Sequence, residues 1–154
     1  AEQLGATGLA AWGITLPFWM RSAWFKKHGY ETADRAEGRE LVWKRFSADA
    51  ETPKWVTPGH TPKPVAGQVT MTGYLSGWCP AMNLTYERAK RVAEELGDPV
   101  VFVSIDTGEP AAMRRHGHTD DVFLDGRKLQ RGAPPSYEKI RKKTLKRVRR
   151  VHRS

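Results

Sequence analysis

Read for its hydrophobic period, the chain organises around residues 68–97. Val69-Thr70-Met71-Thr72-Gly73-Tyr74-Leu75 alternates and favours β-branched or aromatic residues, which predicts a strand. Ser76-Gly77-Trp78-Cys79-Pro80 follows as a turn. From Ala81, apolar residues fall at Leu84, Ala89, Val92, Ala93 and Leu96, near helical spacing, with Glu87 and Arg91 an i,i+4 pair on the wet side. Pro80 suits a first helical turn, where its missing N–H is not needed, and Gly97 suits the stop. Beyond it, residues 100–105 read as a second apolar strand ending in Asp106, and 110–116 as a short helix. Residues 121–129 read as a hairpin turning at Asp125-Gly126. Pro134-Pro135 then introduces a final helix that Ser136 caps.

Upstream, residues 1–5 read as the last turn of a helix whose beginning is absent, and 7–14 ("TGLAAWGI") as a buried strand. Pro17 marks a break, 18–28 an aromatic-rich helix closed by Gly29-Tyr30, and 32–34 and 40–46 two strands joined by Ala36-Glu37-Gly38. Residues 49–67 hold four of the ten prolines, Pro53, Pro58, Pro62 and Pro64, and predict an extended linker pinned by burial of Trp55.

Charge changes the picture at one end. The net charge is +9, and residues 139–154 carry nine cations and no acid; the remaining 17 cations balance the 17 acids. The single cysteine excludes an internal disulfide framework and suits a reducing, cytoplasmic setting. No apolar run approaches the ~18 residues of a membrane span, so no membrane partner is expected. A chain of 154 residues suits one ordinary domain, or one small domain with a partial one. It begins at Ala1 without methionine, which suggests a processed, truncated or incompletely identified chain.

Two resemblances follow. Gly77-Trp78-Cys79-Pro80 resembles the Trp-Cys-x-x-Cys entry of thioredoxin-like domains, "VFLDGRKL" is similar to the glutaredoxin hairpin, and the order βαβαββα with a mixed sheet is the thioredoxin one. Met82 occupies the position of the second cysteine, so no intramolecular disulfide forms at this turn, and Asp120 takes the place of the family's cis-proline. Trp24-Phe25-Lys26-Lys27-His28-Gly29-Tyr30 followed by two strands resembles the closing half of the GNAT acetyltransferase fold: strand five, helix four, strands six and seven. That resemblance implies acetyl-CoA as cofactor, yet the glycine turn that holds its pyrophosphate is absent from this chain, and Phe25 stands where many members carry a tyrosine acid. Together, "GWCPAMNLTYERAK", "IDT" and "PPSYEKI" resemble GNAT proteins with a thioredoxin-like extension of the YoaP type.

Several side chains are candidates for chemistry. Cys79, at a strand-to-helix turn facing a positive helix end, reads either as a reactive thiol or as a fold relic beside Trp78. His116 and His118 with Cys79 read as a soft metal site or, more simply, an ordinary loop. Asp120 and Asp121 read as a base beside Cys79, or as one turn cap and one water-facing carboxylate. Trp12, Trp19, Trp24 and Trp43 read as core. In the final helix Tyr137, Ile140, Leu145, Val148 and Val151 supply a narrow apolar stripe. Lys139, Arg141, Lys142, Lys143, Lys146, Arg147, Arg149 and Arg150 fill the other faces, as a solvated surface or as a patch for RNA, DNA or an acidic protein. No aromatic residue follows Tyr137 to stack on bases, which argues against sequence-specific recognition.

The expected architecture is α/β: a partial GNAT-like segment over 1–47, a proline-rich linker over 48–67, and a thioredoxin-like domain over 68–154. Too small to bury its tryptophans alone, the first segment is expected to need another copy, the second domain or a missing acetyltransferase half. The leading functional expectation, by resemblance, is the C-terminal portion of an N-acetyltransferase whose extension recognises substrate or partner, catalytically incomplete as it stands. A basic adaptor for nucleic acid, the ribosome or a larger complex, and a monothiol redox protein using Cys79, are the alternatives.

Overall fold

A computed structural model describes residues 1–15, 20–36, 38–59, 61–130 and 132–152. Pro17, Phe18, Trp19, Glu37 and Arg153 lie outside the described residues. The chain divides into two compact units, Ala1–Trp55 and Val56–Ser154.

In the first unit a 3-10 turn, Glu2–Leu4, ends at Gly5 with φ +79°, a left-handed position that glycine takes without strain. Strand β1 (Gly8–Ile14), helix α1 (Ser22–Lys27), strand β2 (Glu31–Ala36) and strand β3 (Arg39–Arg45) follow. The antiparallel sheet has the order β1-β3-β2, so β3 is central and holds the core residues Val42 and Trp43. Strand β1 was expected to be buried but lies at an edge: Leu9 is exposed and Trp12 half-buried. Helix α1 starts later than its aromatic run suggests, because Arg21 is extended and bridges Ile14. A side chain at Gly13 would meet backbone atoms of Met20 and Ser22 at 2.8 and 2.7 Å, so only glycine lets this segment lie so close. Of the tryptophans read as core, Trp43 is; Trp24 is 57 % exposed and stacks on His28 instead. Trp55 is half-buried and held by its backbone N–H, which donates to Asp34 Oδ2 at 3.0 Å, and by the Arg39 guanidinium 5.4 Å over its ring.

Glu40, a buried carboxylate of this sheet, is matched by Lys26 Nζ at 2.8 Å and Arg35 Nε at 3.0 Å. Hydrogen bonds from Lys26 and Ser22 outweigh the cost of burial and lower its pKa from 4.5 to about 2. A depressed carboxylate contributes stability that is present above pH 4.5 and lost as pH falls toward 2. The full shift corresponds to about 3 kcal/mol, and solvent screening beside a small sheet leaves roughly 1–2 kcal/mol. Glu40→Gln should therefore lower the first unit's stability at pH 7 and flatten its acid limb; equal acid profiles for variant and parent in denaturant titrations would contradict the assignment.

The second unit begins as an extended segment, whose Gly59 N–H donates to His116 O at 3.1 Å. It continues as β4 (Val69–Leu75), α2 (Pro80–Leu96), β5 (Val100–Asp106), α3 (Pro110–His116), β6 (Asp121–Leu124), β7 (Arg127–Lys128) and α4 (Tyr137–Val151). The mixed sheet has the order β5-β4-β6-β7, with β4 parallel to β5 and antiparallel to β6. This connectivity is the one the thioredoxin resemblance implies. Strand β4 is buried almost throughout rather than on alternate sides, because it is central and covered on both faces. Helix α2 buries Thr85, Tyr86, Ala89, Val92 and Ala93. Leu84, expected inward, is exposed because Tyr86 sets the phase: its ring fills the space over Gly73, where a Cβ would meet it at 2.6 Å. Expected beside Glu87, Arg91 instead lies 5.5 Å over the Tyr137 ring.

Candidate anion-binding groove and the Cys79 turn

Asp125 and Gly126 make the tight hairpin turn, both with positive φ (45° and 74°), the signature of a two-residue connection whose twist matches its strands. Asp125 N–H donates to Thr70 O, and Asp125 Oδ1 accepts from Thr70 N–H, each at 2.9 Å. The turn is thereby tied to the central strand, and the two residues after it, Arg127 and Lys128, are presented on the sheet's outer rim. Helix α4 is capped by Ser136, whose Oγ accepts from Lys139 N–H, and is docked by the fully buried Ile140 and Thr144, with Tyr137, Val148 and Val151 partly buried against the core. Leu145, expected in that stripe, is half-buried on a separate face with Glu138, Arg141 and Lys142.

The result is an open groove of about 310 Å³. Lys143, Lys146, Arg147 and Arg150 of α4 form one wall, Arg127 and Lys128 of β7 the other, and Leu124 and Leu129 line it between them. Arg127, Arg147 and Arg150 also line a neighbouring hollow against 64–68. Arg147 Nε stands 3.6 Å from Asp125 Oδ2, and Lys128 Nζ 2.9 Å from Asp121 Oδ2. Of the other candidates on α4, Lys142 and Arg149 border a second hollow, which Lys146 also lines. Arg141 is committed inside the unit: its Nε meets Glu95 Oε1 at 2.7 Å, and Tyr137 Oη also donates to Glu95. Those bonds, Tyr137 first, hold the Glu95 carboxyl below its usual range and push the Tyr137 hydroxyl up. Arg127 and Lys128 escape a sequence reading because their charge joins that of α4 only through strand pairing.

Cys79 is the N-cap of α2, half-buried, its carbonyl accepting from Met82 and Asn83 N–H at 3.0 and 2.9 Å. Trp78 beside it is 75 % exposed. Asp120 is buried and caps the turn from below, accepting from Ser76 N–H at 2.9 Å and Ser76 Oγ at 2.6 Å. A carboxylate thus holds the loop where the family pattern has a proline. Asp121 is engaged by Lys128 and by His118 Nδ1, the latter at 3.0 Å, so neither carboxylate of the pair is left to water alone. His118 is buried against Tyr74 and Phe123, and His116 also packs on Tyr74, whose hydroxyl pKa is raised by burial. Among the described residues no group of three or more His, Cys, Asp or Glu side chains is arranged to hold a metal ion, the combination of Cys79, His116 and His118 included.

No protein-family model matches the chain, and no curated protein matches it. Among solved structures, the X-ray structure of Fasciola hepatica thioredoxin is similar to 56 % of this chain and 83 % of its own length, at 16 % identity and a TM-score of 0.34. No described helix is long and apolar enough to cross a membrane.

Proposed function

We propose that the Val56–Ser154 unit is a non-enzymatic recognition domain that takes an anionic partner in the groove between β7 and α4. The observation behind this reading is the convergence of six cations from two elements on one groove. Like charges held together cost self-repulsion, which an anion relieves. The reading joins the accessory domain and the basic adaptor, since either binds a partner rather than transforming it. Labelled heparin should bind the full chain at low salt, release as salt rises, and bind more than tenfold more weakly to a variant carrying Lys143→Glu and Lys146→Glu, both exposed positions. Unchanged affinity in that variant would overturn the assignment, and a glutathione adduct forming readily on Cys79 would favour the monothiol reading.

A second reading takes Ala1–Trp55 as the closing half of a GNAT acetyltransferase fold, and the element order strand, helix, strand, strand supports it. The described residues do not fit acetyl-CoA. The sequence holds no Arg/Gln-x-x-Gly-x-Gly/Ala turn to take its pyrophosphate. Calorimetric binding of acetyl-CoA by this chain would restore that cofactor to the account.

A further inference from the structure

We propose that the groove is a phosphodiester site and that its partner is a nucleic-acid duplex gripped by its backbone. This rests on the reading that the groove takes an anion, and names which anion. Lys143, Arg147 and Arg150 stand at i, i+4 and i+7, one row of α4, with Lys146 beside them. At a rise of 1.5 Å per residue that row spans roughly 10 Å. Each strand of a duplex carries about one charge per 3.4 Å of axis, so a row of this length faces about three successive phosphates of one strand. Arg127 and Lys128 face it from β7.

The balance of charge is one-sided. Asp125 reaches toward Arg147 and Asp121 toward Lys128. Arg127, Lys143 and Lys146 have no carboxylate within ion-pair distance among the described residues. Asp125, itself fixed by Thr70, steadies Arg147 at the wall, so one guanidinium is set in place for phosphate.

Two other occupants fit less well. An acidic protein surface would need an apolar or aromatic anchor at the centre of its contact, but Leu124 and Leu129 are only 5 % and 6 % exposed. A single strand would need aromatic faces for its bases, and no aromatic residue lines the groove. Backbone phosphates of a duplex need neither, and contacts confined to them carry no sequence preference.

The test is fluorescence anisotropy on the full chain with a short mixed-sequence duplex, the corresponding single strand and polyglutamate. Duplexes of unrelated sequence should bind alike, with log K falling against log salt at a slope of about −3 to −5. Arg127→Ala and Lys146→Ala should each weaken binding several-fold and reduce the slope by about 1, with circular dichroism unchanged. Polyglutamate displacing the duplex at equal charge, a single strand binding more tightly, or a slope that neither variant moves would overturn the proposal. Heparin or polyglutamate binding without duplex binding defeats this proposal and leaves the anion reading standing; binding to none of them defeats both.

Discussion

Ile140→Ala should destabilise the second unit by about 3 kcal/mol and abolish binding in the groove. Ile140 is fully buried in the cluster that includes Val69, Met71, Ala89 and Val92, and its removal leaves a cavity at the point where α4 docks. Such truncations cost roughly 2–5 kcal/mol, the spread reflecting how far the surroundings collapse. Four of the groove's six cations ride on α4, so a loosened helix disperses one wall. Leu145→Ala, on the same helix but outside that cluster, should cost less than about 1 kcal/mol and leave binding intact. Urea titration with duplex anisotropy on both variants checks the contrast. Equal destabilisation by the two would place the docking face of α4 elsewhere.

Gly117→Ala should be comparably damaging for a different reason. Gly117 ends α3 with φ +69°, and a Cβ there would run into Thr57 O and lie 2.6 Å from Pro58 Cα. Both obstacles are backbone, so no side-chain rotation relieves them. The left-handed conformation costs an alanine about 1 kcal/mol and the overlap a further 1–3 kcal/mol. The outcome expected is displacement of residues 57–59 from the end of α3, with loss of the bond from Gly59 N–H to His116 O. Limited proteolysis within 56–67 should accelerate well before the unit unfolds. A variant as resistant as the parent would show that this segment is not held there.

What the sequence disclosed was whatever local chemistry decides. Pro80 at the first turn of α2, Gly97 at its end, Ser136 as a cap and Asp125-Gly126 as a turn each act within a few residues, and each boundary fell where expected. The phase of α2 was misread because helical periodicity cannot tell that a ring on Tyr86 will fill the gap over Gly73 in another element. Strand β1 was misread for a related reason: an apolar run does not reveal that β3 rather than β1 takes the middle of the sheet. The candidate site was half legible. The cations of α4 stand in one run, but Arg127 and Lys128 join them only through the pairing of β6 with β7 and of β6 with β4. Nor does a linear reading separate Arg141, which Glu95 occupies, from Lys143 and Lys146, which meet no carboxylate among the described residues.

The lopsided placement of charge also bears on kinetics. With cations concentrated on α4 and the rim beside it, the second unit presents a directional field to an approaching polyanion. Encounters are then pre-aligned before any atom touches, so added electrolyte should slow arrival far more than it hastens departure.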